Sequence, residues 1–256
     1  MPLINPGSVI LVTGGSGGVG FEIASQAAAE GAIVGVHGSR AERVADAIER
    51  LQALHPAARF IAVPGDFREP GVIDAIIGKT VAEGGRLDAL INCATTGAKG
   101  GGKVTGLFKD MDVSAFGPTA AAMVGIFQQL CHAALPHLAK QGGAIVGFIS
   151  DAGRFAAPHQ SIIGAAFGGI VAFARNLSME IARDKVRIHI IAPSYVVDTP
   201  VYEFVAAKGR IDSAIKRAGL GLPSPRDIAP MALFLCGPGS EKITGQIISI
   251  NGGLNA

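Results

Sequence analysis

The 256 residues carry a formal charge of +2 and no block of lysine or arginine, so nothing in the chain is suited to tracking a nucleic-acid backbone. With 49% hydrophobic residues, 16% charged and 36 glycines, the composition excludes a disordered chain and suits a sheet buried on both faces. Cys93, Cys131 and Cys236 are far apart in apolar surroundings, which reads as buried thiols in a reducing compartment, not as a disulfide framework or metal site. The start MPLINPGSVILVTGG lacks the features of a signal peptide. The strictly apolar and glycine run 162–174 is short for a membrane span, so a cytoplasmic protein without a membrane partner is expected.

In chain order, short apolar runs alternate with helix-compatible segments, the pattern of repeated βαβ units. Strands are predicted over 9–12, 32–36, 59–63, 89–92, 144–149, 186–191 and 246–250, and helices over 18–30, 41–54, 70–83, 111–138, 161–183 and 225–235. The expected architecture is α/β: one Rossmann domain over 1–256, a doubly wound seven-stranded parallel sheet with helices on both faces. The glycine-rich stretch 97–106, with Lys99 and Lys103, reads as a solvated connector, and 198–221 as a second variable segment. Both follow carboxyl ends of strands, where ligands bind in such sheets.

The first strand runs into TGGSGGVG, 13–20, which opens the next helix. Gly14 supplies a tight turn, Gly18 removes a Cβ where a pyrophosphate would approach, and Gly20 permits close helix–strand packing, while helix amides face the anion. The alternative is that the fold alone needs this backbone geometry. After the second strand comes His37, Gly38, Ser39, Arg40, with no carboxylate for a ribose 2'-hydroxyl. Ser39 and Arg40 suit a 2'-phosphate, yet Arg40 equally reads as a solvated helix-start residue, so NAD and NADP both stay open.

The spacing of Thr13, Gly14, Gly18 and Gly20 resembles the short-chain dehydrogenase/reductase family, and further matches extend over nearly the whole chain. LDALINCAT, 87–95, is similar to a strand-four signature ending Asn-Asn-Ala-Gly; Asn92 and Ala94 are kept, while Cys93 and Thr95 are changes. Asp66 matches the acid that approaches the adenine, and 226–253 resembles the last helix, last strand and closing Gly-Gly. The resemblance implies a cofactor site at Gly14, Ser16, Gly18, Gly20, Ser39, Arg40, Asp66, Asn92 and Ala94, NAD or NADP as the cofactor, and no metal.

It also implies an active site that this sequence lacks. In the family a serine after strand five precedes a catalytic tyrosine by thirteen positions, and a lysine follows four later. ISDAGR fixes the serine as Ser150; Ile163 then stands at the tyrosine position and Phe167 at the lysine position. The chemistry needs a phenol to exchange the substrate hydroxyl proton and an ammonium to lower its pKa and hold the nicotinamide ribose. Ile163 and Phe167 supply neither, and a positioned acid or base contributes roughly 10²–10⁴-fold. The family's active-site asparagine falls near Ala122 or Met123. The only tyrosines, Tyr195 and Tyr202, lie beyond strand six, so no modest shift of alignment restores the pair. Past strand six the family's Pro-Gly becomes Pro193 and Ser194.

The preferred expectation is a non-catalytic subunit supporting an active paralogue in an NAD(P)-dependent alcohol dehydrogenase complex. Contact would run through the helices at 111–138 and 161–183, giving a heterodimer or heterotetramer, with a homo-oligomer as the alternative. The chain resembles the inactive subunit of such mixed assemblies, among them the alcohol dehydrogenase of anaerobic toluene breakdown, which acts on a hydroxybenzyl-succinyl-CoA. Two other readings stand beside it. One is a repurposed reductase, dehydratase or cyclase using substitutes such as Asp151, His159 or Tyr195. The other is a nucleotide sensor.

Overall fold

The computed structural model describes residues 2–94, 102–207 and 211–255. Seven parallel strands stand in the order β3-β2-β1-β4-β5-β6-β7. They are β1 Val9–Thr13, β2 Ile33–Val36, β3 Arg59–Ala62, β4 Ala89–Asn92, β5 Gly143–Phe148, β6 Val186–Pro193 and β7 Ile247–Ile250. The strand order reverses between β1 and β4, where Thr13 stands opposite Asn92. A crevice opens at such a switch point because the connections leave β1 and β4 in opposite directions.

Alternation along the strands sends side chains to two faces, and both are covered. Ile10 and Val12 of β1 pack in one apolar cluster with α1 Gly18–Ala29, α2 Ala41–Leu54 and α9 Pro225–Cys236. Leu11 packs in the other with α3 Val72–Gly84, α5 Ile126–Leu138 and α6 Ser161–Ile181. With its following turn α6 is long and apolar enough to cross a membrane by length and composition. Here Ala166, Phe167, Ile170, Val171, Ala174 and Leu177 bury one side of it on the sheet, the placement of a core helix.

Three departures from the sequence expectations have local causes. Gly71 takes φ 76°, so α3 begins at Val72 and not at Pro70. The single helix expected over 111–138 starts late and is interrupted. The Asp112 carboxylate accepts from Ser114 N at 3.0 Å and holds a tight turn, α4 runs only Phe116–Ala120, and a π turn over Ala121–Gly125 leads into α5. Two short helices in the second variable segment went unpredicted. α7 Pro200–Ala206 is started by Thr199, whose hydroxyl accepts from Tyr202 N, with Pro200 in its first turn, and α8 is Asp212–Arg217. Thr95, Lys99 and the first half of the 97–106 stretch, 97–101, lie outside the described residues.

Candidate functional site

The glycine loop closes against both of its neighbours. Gly14 takes φ 70°, and a Cβ there would stand 2.9 Å from Ala94 N, while one on Gly20 would stand 2.4 Å from Gly14 O. The loop is thus welded to the end of β4 and the first turn of α1 to the loop. Thr13 Oγ1 completes the seam by donating to Asn92 Oδ1 at 2.5 Å, deep in the sheet. Gly18 is different. It has φ 51°, and a Cβ added there would meet only Thr199 Cγ2, at 3.9 Å. No side chain caps α1 and no acidic residue stands in its first turn, so the leading amides face an open cradle.

A residue given no role from the sequence organises the next strand end. His37 is 2% exposed; Nδ1 accepts the Gly14 N–H at 3.3 Å, which places the ring proton on Nε2, donated to the Gly65 carbonyl at 2.9 Å. Its ring stacks on Phe67 with centroids 4.2 Å apart. Burial pushes the imidazole down to about 4, against the opposing pull of the Gly65 carbonyl and Asp66, so it is neutral at physiological pH. Gly38 follows, at the place where an acid would hold the ribose. A Cβ there would lie 2.5 Å from Ser16 Oγ, so Ser16 occupies the space a carboxylate side chain would cross. Ser39 and Arg40 are exposed at the rim. Asp66 accepts a bidentate pair from Arg68, Nε at 2.9 Å and Nη2 at 2.5 Å. Gly14 is thus packed against Ala94 and Gly20, and Ser16 against Gly38, at the carboxyl ends of β1, β2 and β4.

The residues at the positions counted from Ser150 are apolar and packed in the core. Phe167 is buried in the large cluster with Ile149 and Ile170, and Ile163, Ala122, Met123 and Ala94 pack against that same cluster. Met123 and Ala122 sit on the π turn, so the backbone widens where the asparagine was expected although the polar side chain is absent. Ser150 survives as the cap of the turn Asp151–Gly153, its Oγ accepting from Ala152 N at 3.3 Å.

The proposed substitutes occupy three unrelated settings. Asp151 is 3% exposed and accepts from Ser249 Oγ at 2.6 Å, Asn251 Nδ2 at 2.6 Å and Asn255 Nδ2 at 3.3 Å, an anchor for the C-terminal segment. Arg154 joins it by donating to the same Ser249 hydroxyl at 2.7 Å. His159 is exposed with φ 70°, its carbonyl receiving Gly106 N at 2.8 Å. Tyr195 packs with Ile211, Ala214, Ala218 and Leu254 in a satellite cluster. A polar groove lined by Arg86, Lys185, Arg187 and Glu241 lies at the opposite, amino ends of the strands.

The family model described as enoyl-(acyl carrier protein) reductase matches residues 14–255. The chain belongs to the short-chain dehydrogenase/reductase family. It is 31% identical to the 3-oxoacyl-(acyl-carrier-protein) reductase FabG of Chlamydia muridarum, over 98% of each chain. It is 30% identical to a peroxisomal 2,4-dienoyl-CoA reductase of Arabidopsis thaliana, over 99% of this chain and 86% of the relative. Its fold superimposes with a TM-score of 0.87 on a 7α-hydroxysteroid dehydrogenase solved with NADH and 7-oxo glycochenodeoxycholic acid, at 25% identity over 98% of this chain and 96% of that one.

Within this short-chain dehydrogenase/reductase the two halves of a dinucleotide meet unequal surroundings. At the adenosine end, Gly18 and Ser16 at the uncapped start of α1 are the residues that could hold a phosphate, while the Asp66 carboxylate is engaged by Arg68. At the nicotinamide end Phe167 and Ile163 offer no donor to a ribose and no proton to a carbonyl, so the residues present do not fit that half. Among the described residues no group of His, Cys, Asp or Glu is arranged to hold a metal.

Proposed function

We propose that this chain is a non-catalytic short-chain dehydrogenase/reductase subunit that supports an active paralogue in an NAD(P)-dependent alcohol dehydrogenase assembly. The supporting observation is the incorporation of Met123, Ile163 and Phe167 into a single apolar cluster around the old reaction centre. A proton relay cannot run through such side chains, and a buried apolar wall stabilises the fold instead. The fold and the glycine loop are kept, which is what an assembly partner needs to retain.

The partner-facing surface would be α4, α5 and α6. On α6 the residues Ala165, Gly169 and Ala172 are exposed with little bulk, and Met179 is 81% exposed. A large apolar side chain in water at the end of a small-residue face suits a covered helix. Two of the similar proteins are named for acyl-carrier-protein or CoA thioesters. That supports a hydroxyacyl thioester, such as hydroxybenzyl-succinyl-CoA, as the substrate class of the assembly.

The test is purification from the native host under mild conditions, identification of the companion chain, and assay of each alone and together. The purified chain should show no NAD(P)-dependent alcohol oxidation, and the companion should gain activity or stability on mixing. Turnover by the isolated chain in the ordinary range of roughly 1–10³ s⁻¹ would refute the proposal.

A further inference from the structure

We infer that Ser25 and His55 form a second reactive site, a serine nucleophile with its own base, which takes the acyl group of small uncharged esters. The chemistry is distinct from hydride transfer. α1, which carries Ser25, covers the face of the sheet opposite α6, so the pair is separated by the sheet from Ile163 and Phe167. Ser25 Oγ and His55 Nε2 are 2.8 Å apart. A hydroxyl inside a helix commonly donates to a carbonyl of the preceding turn, as Thr80 does to Ile76 O at 2.9 Å and Ser178 to Arg175 O at 2.7 Å. Ser25 makes no such bond, and among the described residues the imidazole is the one partner of its side chain. With Nε2 unprotonated the ring is placed to take the hydroxyl proton, the arrangement that activates a serine. His55 comes to Ser25 from the turn just beyond α2. That turn is closed by Ala58 N–H on the His55 carbonyl at 3.0 Å and by Gln52 Nε2, which donates to the carbonyls of His55, Pro56 and Ala58.

Both side chains are half-buried and line an open groove with Phe21, Glu22 and Arg50. Phe21, Glu22 and Ser25 share one face of α1 by spacings of three and four residues. The Arg50 guanidinium lies over the Phe21 ring, 4.3 Å from its centroid, and makes no ion pair among the described residues. Its donors are therefore open to the negative charge that develops on a carbonyl oxygen under attack. Glu22, which accepts from Gln26 Nε2 at 2.9 Å, disfavours an anionic substrate in the same groove. In the reaction Ser25 Oγ bonds to the ester carbon as its proton passes to His55 Nε2. The bond from that carbon to the alcohol oxygen breaks, and the alcohol leaves with the proton. Water then attacks acyl-Ser25 by the same route, releasing a carboxylic acid and restoring the hydroxyl.

The test treats the full chain with an alkyl fluorophosphonate, from which fluoride leaves as a serine oxygen bonds to phosphorus, and locates the adduct by peptide mass spectrometry. The adduct should sit on Ser25, and Ser25→Ala, a change that favours the helix, should abolish it. His55→Gln should slow labelling about a hundredfold with the circular dichroism spectrum retained. Release of nitrophenolate from 4-nitrophenyl acetate should fall in the same order across the three proteins. An adduct on any other residue, or none at millimolar probe, overturns the inference. So does unchanged labelling in His55→Gln, or an acetyl group found on His55 in place of Ser25. Should His55→Gln not fold, the position of the adduct in the unaltered chain still decides. Oxidation of alcohols with NAD(P) is not read in any arm, so failure here is separate from failure of the non-catalytic dehydrogenase reading.

Discussion

Two buried histidines do opposite work. His37 uses both ring nitrogens, whereas His189, in the middle of β6, makes no hydrogen bond of good geometry; burial and nearby Arg187 push its imidazole down, and a weak interaction with the Ile243 backbone offsets only part of that. A buried polar ring so poorly partnered costs desolvation energy, so His189→Leu should be neutral or stabilising, by up to about 2 kcal/mol in urea denaturation. His37→Leu should lose a comparable amount, because Gly14 N–H and Gly65 carbonyl lose their partner together. A second residue-scale expectation concerns Arg40. If a 2'-phosphate is bound beside Ser16 and Ser39, Arg40→Ala should reduce affinity for NADP⁺ about tenfold and leave NAD⁺ unchanged, measured by titration. Equal effects on both would show that Arg40 is only a solvated helix start.

At the scale of elements, α9 ends on a side chain from a different layer. Arg187 of β6 donates to the carbonyls of Leu235, Cys236 and Gly237 and to Ser240 Oγ, which satisfies the otherwise unpaired end of the helix. Arg187→Met keeps the aliphatic stem and removes the fork. It should cost about 2–4 kcal/mol, read as a lower denaturation midpoint with an unchanged slope. Arg187→Lys should recover only part of that. The main elements were legible in the sequence because a strand buried on both faces is a short, largely apolar run, as in β1 and β4, and even β6, with Arg187 and His189 in it, keeps enough of that form. The interruption at 121–125 was not legible: a π turn differs from an α turn by one residue of register, and the alanines there suit both. That Ile163 and Phe167 stand thirteen and seventeen positions after Ser150 could be counted from the sequence, since those spacings fix positions on α6 whatever its exact start. His37 could not be found that way, because its role depends on Gly14 and Gly65, which are distant in sequence and adjacent only across three strands.

For the whole molecule, both histidines link stability to acidity. Each is held near 4 in the folded chain against 6.5 when free, so the unfolded chain takes up protons first as the pH falls. Above pH 6.5 both rings are neutral in either state and protonation does not oppose folding; between about 6.5 and 4 the unfolded chain binds protons that the folded chain does not, and stability falls progressively by about 3 kcal/mol per histidine. The denaturation midpoint should therefore drop across that window and level off below it. The double variant His37→Leu with His189→Leu should flatten the curve, whereas an unaltered acid limb would assign the sensitivity to carboxylates.

The carboxylate of Asp151 ties the strand-five loop to the tail through Ser249, Asn251 and Asn255. A fusion partner or purification handle placed after Asn255 would pull on the same knot that fixes the loop carrying Ser150, and trimming the chain back past Asn251 would strip a buried anion of two of its donors. Handles fused ahead of Val9 avoid that knot, and anyone comparing preparations should expect the placement of the handle to alter behaviour at the loop after β5.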